Sequence, residues 1–312
     1  MNPLSAIFGA GVRLRNALYD RGTLSVRRLA RPVVSIGNIS VGGTGKTPFV
    51  IALGELLRQR GITFDVLSRG YGRSSTEIAV VEPSGTAAQF GDEPLLIART
   101  LQAPVIVGGD RYQAGLLAEK QFSSKLHLLD DGFQHRRLHR DFDIVLLPAE
   151  DLTGSLLPVG RLREPVTSLG RADAVVVFEQ PAQLLKAKRV WSAQRRVDLS
   201  PIGGLPMAFC GIARPEQFFG SLKALGQEIV FPMTFPDHHR YSQLEIDDLL
   251  RLRDESCADG FITTEKDAIN LAELARQLEP LRIARLRLEL ESPEQAISEM
   301  LQAIEQRSGC RL

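Results

Sequence analysis

Long hydrophobic runs are missing from this chain. No apolar stretch approaches the roughly 18 residues of a membrane-crossing helix, which excludes a helical span. The N-terminus also lacks the layout of a signal peptide: its apolar part, residues 4–12, is short, is broken by glycines and has its positive charges after it. Cysteine is scarce. Cys210, Cys257 and Cys310 are an odd set with no paired spacing, which argues against a disulfide framework or a cysteine-based zinc site and fits a reduced, cytosolic chain. Neither sign of charge is in excess, and a net charge of +1 gives no overall pull toward nucleic acid. Internal repeats and low-complexity tracts are absent too. What remains is a globular composition, 44% apolar and 24% charged over 312 residues, a length that fits one large domain or two modest ones.

The most informative stretch present is Ser40-Val41-Gly42-Gly43-Thr44-Gly45-Lys46-Thr47-Pro48. It follows the apolar run 32–36 and opens onto a helical pattern over 49–58, the strand–loop–helix context of a phosphate-binding loop. Glycines let successive backbone N–H groups turn inward around phosphate oxygens, and the helix N-terminus behind them adds partial positive charge. In such a loop Lys46 reaches the β- and γ-phosphates and Thr47 ligates Mg²⁺. Pro48 falls in the first helical turn, where its missing N–H costs least. One position departs from the pattern: glycine is expected six residues before the lysine, and Ser40 stands there. A mere Gly-rich turn beside an exposed lysine does not account for the strand before and the helix after. The loop alone therefore specifies a nucleoside triphosphate site and leaves phosphoryl transfer, switching and assembly open.

Beyond the loop, apolar runs at 64–67, 79–81, 104–107, 126–129, 144–147 and 174–178 alternate with helical patterns, notably 93–101 and 111–121. This predicts an α/β fold with a P-loop NTPase-like, wound and mostly parallel sheet. Pro-Ile-Gly-Gly-Leu-Pro at 201–206 reads as a linker. After it a smaller α/β pattern resumes, with strands at 207–210, 229–233, 260–263 and 281–290 and helices at 216–225, 242–253, 268–278 and 293–306. The expected organisation is an N-terminal helix within 1–30, a P-loop core over 31–205 and a smaller C-terminal lobe over 206–312.

The run 126–131 is apolar and ends in Asp130 and Asp131. A strand-end carboxylate is where P-loop proteins hold Mg²⁺. The two acids point to opposite faces if the strand continues, so one is expected to meet the metal and the other to orient a nucleophile or a basic neighbour. His135, Arg136, Arg137, His139 and Arg140 follow at once. Such a cluster is either a solvated loop or a set of phosphate contacts, and its place beside the metal strand favours the second. Gly91-Asp92-Glu93-Pro94 opens a helix, where a carboxylate caps the helix or serves as a base at the cleft edge. Asp110-Arg111 follows a strand end, the edge where ligands of open sheets gather. Arg161-Leu162-Arg163-Glu164-Pro165 mixes charges near a turn. In Phe235-Pro236-Asp237-His238-His239 no metal-ligand spacing accompanies the histidine pair, which argues against zinc.

Charge is uneven at the N-terminus. Residues 1–31 carry six arginines against Asp20, a local charge of +5 that leaves −4 on the rest. On a helical wheel Leu4, Ile7, Phe8, Gly11, Leu14 and Leu18 share one face, with Arg15 inside it and obliged to snorkel. Two roles fit this pattern: an amphipathic helix on an anionic membrane surface or lipid-like substrate, or a helix packed on its own domain.

In order along the chain, these stretches resemble the tetraacyldisaccharide 4′-kinase (lipid A 4′-kinase) family. The resemblance rests on Arg15-Asn16-Ala17-Leu18-Tyr19-Asp20, the segment from Gly37-Asn38 through Thr47, Leu67-Ser68-Arg69-Gly70-Tyr71, Gly91-Asp92-Glu93-Pro94 and Asp110-Arg111-Tyr112. It continues through Leu129-Asp130-Asp131-Gly132-Phe133-Gln134-His135, Leu162-Arg163-Glu164-Pro165, Phe235-Pro236-Asp237-His238 and Thr263-Thr264-Glu265-Lys266-Asp267. Serine at position 40 is a trait of that family.

The resemblance implies transfer of the ATP γ-phosphate to the 4′-hydroxyl of a tetraacyldisaccharide 1-phosphate, giving lipid IVA in lipid A biosynthesis. It implies ATP and Mg²⁺ as cofactors and a peripheral enzyme on the cytoplasmic face of the inner membrane. Its partners would be the acylated disaccharide lipid and the membrane surface, with no nucleic acid and no obligate protein partner. Ser40, Val41, Gly42, Gly43, Thr44, Gly45, Lys46 and Thr47 would bind the nucleotide. Thr47 with Asp130 or Asp131 would hold the metal. Asp92 and His238 would pair as a base dyad when the smaller lobe closes over the site, with Arg111, His135, Asp131 and Glu164 near the reacting groups. A substrate resident in a bilayer makes the anchor the better reading of the N-terminal helix.

Two other classes compete. A P-loop kinase or ligase of a soluble metabolite needs no amphipathic N-terminus. A nucleotide-driven switch or metal chaperone of the Lys-Gly-Gly-x-Gly-Lys type needs a lysine where Val41 stands, and no Asn-Lys-x-Asp guanine motif is present.

Overall fold

The two-residue period of the strands decides the layering. In the computed structural model, which describes residues 3–178, 188–200 and 204–309, Val34 and Ile36 pack in one apolar cluster while Val33 between flanking strands packs in another. Val66 and Leu128 go with the first face, Leu67 and Leu129 with the second.

The strands are β1 (Val33–Asn38), β2 (Phe64–Ser68), β3 (Ala79–Val80), β4 (Val105–Val107), β5 (Leu126–Asp130), β6 (Phe142–Leu147), β7 (Ala174–Phe178), β8 (Val190–Asp198), β9 (Met207–Cys210), β10 (Pro232–Thr234), β11 (Phe261–Thr264) and β12 (Leu281–Leu290). They form one sheet in the order β10-β9-β11-β12-β8-β7-β6-β1-β5-β2-β4-β3. Only β12–β8 and β3–β4 pair antiparallel among the described residues. The expected mostly parallel α/β sheet is thus present. The helices are α1 (Pro3–Asp20), α2 (Lys46–Gln59), α3 (Ala87–Phe90), α4 (Asp92–Leu101), α5 (Arg111–Gln121), α6 (Pro215–Ala224), α7 (Gln243–Glu255), α8 (Glu265–Leu271) and α9 (Pro293–Ser308). Apolar residues of α2, α4 and α9 fill one face of the large core, and Ala114 and Ala118 of α5 pack on the other.

Several elements depart from the sequence reading. β8 was not expected: Gln194, Arg195 and Arg196 interrupt its apolar pattern, and pairing with both β7 and β12 makes it a strand. β12 joins the two parts of the sheet, pairing parallel with β11 through residues 281–284 and antiparallel with β8 through 285–290. The helix expected over 268–278 begins earlier, at Glu265, where Thr264 caps it, and after Leu271 the chain tightens into a 3₁₀ turn over Ala272–Leu278. The strand expected at 229–233 is shorter and later, as β10. Residues 201–203 of the expected linker and Cys310 lie outside the described residues. Cys210, which is buried, and Cys257, which is exposed, are free thiols.

At the end of the sheet where β5 begins, His127 is fully buried, with Nδ1 2.7 Å from Asp65 and Nε2 3.4 Å from Glu119. Burial pushes the imidazole down, but the hydrogen bond and charge of Asp65, with those of Glu119, outweigh it and raise the pKa above the ordinary 6.5. A raised histidine stabilises the fold fully below its unfolded pKa, and that stability is lost as pH climbs through the folded value. The urea midpoint should therefore fall as pH rises from 6 into the alkaline range. H127Q should flatten that slope, and a slope unchanged by H127Q would count against this account.

Candidate active site

The phosphate-binding loop is built by the end of β1 and the start of α2. Gly45 precedes the first residue of α2, Lys46, with φ 92°, a conformation that disfavours any side chain. Asn38 Nδ2 donates to Thr44 Oγ1 at 3.0 Å, tying the loop's two ends. The Ser40 hydroxyl donates to Asp151 at 2.5 Å, which gives the departure from glycine a physical role: the side chain pins the loop to the turn after β6. The run 161–164 lies alongside. Val41 N–H donates to the Arg161 carbonyl at 2.8 Å, and Arg163 N–H donates to the Ile39 carbonyl at 2.7 Å. This register delivers the Arg163 side chain to Asp131 at 3.0 Å.

Lys46 Nζ lies 3.4 Å from Asp131. The expectation that Asp130 and Asp131 alternate along a strand does not hold, because β5 ends at Asp130 and Asp131 turns off with φ 50°. Asp131 is held below the usual carboxylate range: burial pushes it up, and Lys46 and Arg163 more than reverse that. Asp130 goes the other way, raised to about 7 by burial and by the like charges of Glu93 and Asp131 against the counter-pull of Lys46 and Ser68. Its Oδ2 accepts from Ser68 at 2.9 Å, while its buried Oδ1 has no partner among the described residues. An orphaned carboxylate oxygen destabilised by neighbouring negative charge suits a hard divalent cation. The described residues hold no cluster of three or more His, Cys, Asp or Glu able to bind a metal alone.

Asp92 and His238 meet. His238 Nδ1 lies 2.8 Å from Asp92 Oδ2, between the first turn of α4 and the loop after β10. Asp92 does not cap α4 with its side chain, since Gly91 holds that position. Its Oδ1 accepts from the Glu93 N–H at 2.9 Å. Burial pushes Asp92 up, but the His238 hydrogen bond and the Lys266 charge bring it down to about 2. His238 is raised, first by that hydrogen bond and against burial. Its backbone has φ 59°, its N–H donates to the Gly211 carbonyl at 3.2 Å, and its ring lies 5.1 Å from that of Tyr71. Lys266, from the start of α8, lies 3.1 Å from Glu93, 3.8 Å from Asp92 and 3.7 Å from Asp237. Burial pushes its pKa down, and those three acids drive it up instead.

Arg111 and His135 form a second group. Arg111 is buried, donates to the Gly109 carbonyl at 2.9 Å and is lowered by burial and then by Arg69, with Asp130 and Asp131 opposing. His135 is pushed down to about 4 by burial and by Arg111 and Arg140, so it is neutral at pH 7. Three others of the basic cluster are paired within the fold. Arg136 pairs with Asp20, Arg140 with Asp143 and His139 with Asp141. Glu164 is not joined to either group. Its oxygens accept from both Arg171 nitrogens at 2.9 and 3.1 Å, from Asn16 of α1 at 2.8 Å and from Gln134 at 3.2 Å. Gln134 in turn donates to the Asn38 carbonyl at 2.9 Å. Arg15 does not snorkel; it donates to the Gln134 carbonyl at 2.8 Å.

Four residues at the site had no role assigned from sequence: Lys266, Glu93, Ser68 and Arg163. Each stood inside a motif stretch, but its partner is 29 or more residues away, as with Lys266 and Glu93, 173 apart.

A wound parallel sheet, a glycine-rich loop running into a helix, a lysine paired to a strand-end acid and an adjacent carboxylate–histidine pair define the fold and site of a P-loop kinase. The chain matches the family profile LpxK, tetraacyldisaccharide-1-P 4'-kinase, over residues 1–306. It is 52% identical to the tetraacyldisaccharide 4'-kinase of Koribacter versatilis, over 99% of this chain and 100% of that one. It is 38% identical to the protein of the same name from Aquifex aeolicus, over 86% of this chain and 88% of that one. A solved chain of LpxK from Aquifex aeolicus, in complex with ATP, superposes with a TM-score of 0.81 at 34% identity, covering 97% of this chain and 98% of that one. The chain belongs to the tetraacyldisaccharide 4'-kinase family.

Proposed function

We propose that this chain transfers the γ-phosphate of ATP to the 4′-hydroxyl of a tetraacyldisaccharide 1-phosphate, forming lipid IVA. The observation that carries the reading is the 2.8 Å contact between Asp92 and His238, because an acceptor hydroxyl needs a base beside the donor phosphates. The loop residues 40–47 bind ATP, with Lys46 on the phosphates. Thr47 and Asp130 hold Mg²⁺, which supplies charge neutralisation on the transferring group. His238 accepts the proton through Nε2. Asp92 is unsuited to that role: it stays ionised, and its oxygens are already engaged by His238, by the Glu93 N–H and, at 3.4 Å, by Asn270. Asp92 instead orients the ring and stabilises its charged form, as a triad carboxylate does. Lys266 fixes Asp92 and Glu93 relative to the loop that carries His238. Arg111, with neutral His135 beside it, offers a cationic edge for the substrate's phosphate or the transferring group.

In this reading residues 31–205 are the nucleotide-binding core and 206–312 a smaller lobe carrying His238 and Lys266. Lobe closure makes the dyad, which limits ATP hydrolysis when no acceptor is bound. Glu164 acts at the rim, through its bond to α1. The test is incubation with radiolabelled ATP and tetraacyldisaccharide 1-phosphate in detergent. A labelled bisphosphorylated lipid is expected; label released only as inorganic phosphate would refute the assignment.

We further propose that α1 rests on the cytoplasmic surface of the inner membrane. No helix among the described residues is long and apolar enough to cross a membrane. Yet α1, which buries Tyr19 near its end, buries only Ser5 and Gly9 in its earlier turns and leaves Leu4, Ile7 and Leu14 59%, 71% and 63% exposed there. That inversion is unfavourable in water and favourable at a lipid interface. The triple variant L4S/I7S/L14S should lose about tenfold or more in binding to anionic vesicles. It should keep its activity on substrate in detergent. Flotation equal to the parent protein would sink the idea.

A further inference from the structure

A cation that the mechanism does not use lies against the phosphate-binding loop. After β9 the chain runs Gly211-Ile212-Ala213-Arg214 into α6 and crosses the loop's glycines. A Cβ built on Gly43 would meet Ala213 Cβ at 3.7 Å and Arg214 Cγ at 3.9 Å. A Cβ on Gly42 would meet Ala213 Cβ at 3.5 Å and, from the other side, Arg161 Nη2 at 2.5 Å. The two glycines are thus flanked by an arginine from each part of the sheet. Arg161 has a use there, donating to the Val41 carbonyl at 3.0 Å.

Arg214 is different. Its side chain is 3% exposed, and among the described residues only Nη1 has a partner, Glu150, in the turn that follows β6. Nε and Nη2 are buried and have no partner among those residues. A guanidinium cannot shed its proton, so buried unmet donors on it are costly unless a ligand completes them. These two nitrogens form one edge of the planar fork, the edge whose parallel N–H bonds match two oxygens of a phosphate. The opposite edge is the one that Glu150 holds.

We propose that Arg214 is a nucleotide-binding residue, supplied by the smaller lobe, whose Nε and Nη2 donate to the polyphosphate lying on the loop. The inference rests on the kinase reading, because it takes a nucleoside triphosphate as the loop's ligand. It also gives that reading a link between donor and base. The run that carries Arg214 begins at Gly211, whose carbonyl accepts from the His238 N–H. ATP held by Lys46 from one side and Arg214 from the other therefore fixes the segment against which His238 is seated.

The test is ATP and ADP binding to the full chain by calorimetry without lipid, beside kinase kinetics. R214M should weaken ATP binding about 10- to 100-fold, the range of a charge-assisted bidentate contact, and leave the KM for lipid unchanged. R214K restores a point charge but not the fork, so it should recover only part of the loss. E150Q should bind ATP as tightly as the parent or more tightly, because Glu150 neutralises the guanidinium without touching the ligand. Unaltered ATP affinity in R214M overturns the proposal. Should R214M fail to fold, R214K with parental ATP affinity overturns it equally. Calorimetry is independent of the acceptor, so failure of the lipid substrate assay with intact, Arg214-dependent ATP binding would count against the lipid assignment alone.

Discussion

Replacing Asp92 and His238 together is expected to cost no more turnover than replacing the more damaging one alone. Each single variant, D92N or H238A, should lose about 10²- to 10⁴-fold in kcat, the usual worth of a positioned base at a reluctant hydroxyl. Groups that act as one unit lose their function once, so the two losses do not multiply. The pH profile adds a sign. Asp92 raises the His238 pKa through their 2.8 Å contact, and the base must be neutral to accept a proton. Hence kcat/KM should rise with pH through a value above the ordinary 6.5 for imidazole. In D92N that inflection should move to lower pH, because the group that raised it is gone. Fully multiplicative losses in the double variant, or an inflection that stays in place in D92N, would show that the pair is not the base.

Lys46→Met is the second large effect. Turnover should fall about 10³-fold, as when a preorganised donor to the transition-state charge is removed. ATP affinity should fall with it. The fold should survive, because Asp131 keeps Arg163 at 3.0 Å when the 3.4 Å contact to Lys46 is lost. A melting temperature near that of the parent, measured together with kcat, separates the two. K46R should not rescue, since a planar fork on a longer stem cannot occupy the place of a compact ammonium inside the loop. Turnover within tenfold of the parent in K46M would remove Lys46 from the reaction.

The parts of the site that could be read from sequence are those where chemistry and local geometry coincide. The loop 40–47 announces itself because a strand, glycines and a helix start must be contiguous to cradle phosphate. The strand-end position of Asp130 and Asp131 was legible for the same reason, but their division of labour was not. It depends on the chain leaving β5 at Asp131, and on Lys46 and Arg163 arriving from elsewhere. For Ser40 the resemblance supplies the residue type but not the reason, because its partner Asp151 lies 111 residues away. β8 escaped notice because charge at 195–196 masks a strand whose pairing comes from both neighbours rather than from its own pattern. The meeting of Asp92 with His238 followed from family resemblance. Nothing local in either segment specifies a contact across 146 residues.

The bonds of Asn16 and Arg15 give α1 a consequence beyond attachment. Asn16 is clasped by Glu164, Glu164 by Gln134, and Gln134 by the carbonyl of Asn38 at the mouth of the phosphate loop. Three hydrogen bonds therefore run from the helix to the start of the phosphate-binding loop. A helix held this way works as a datum plane: when its outer residues sit at a given depth in a lipid layer, the height of the reaction centre above that layer is set. Substituting an unrelated lipid anchor on a flexible tether would restore residence at the surface but not that height. A sugar whose acyl chains fix its own depth would then meet the transferable phosphate only by chance.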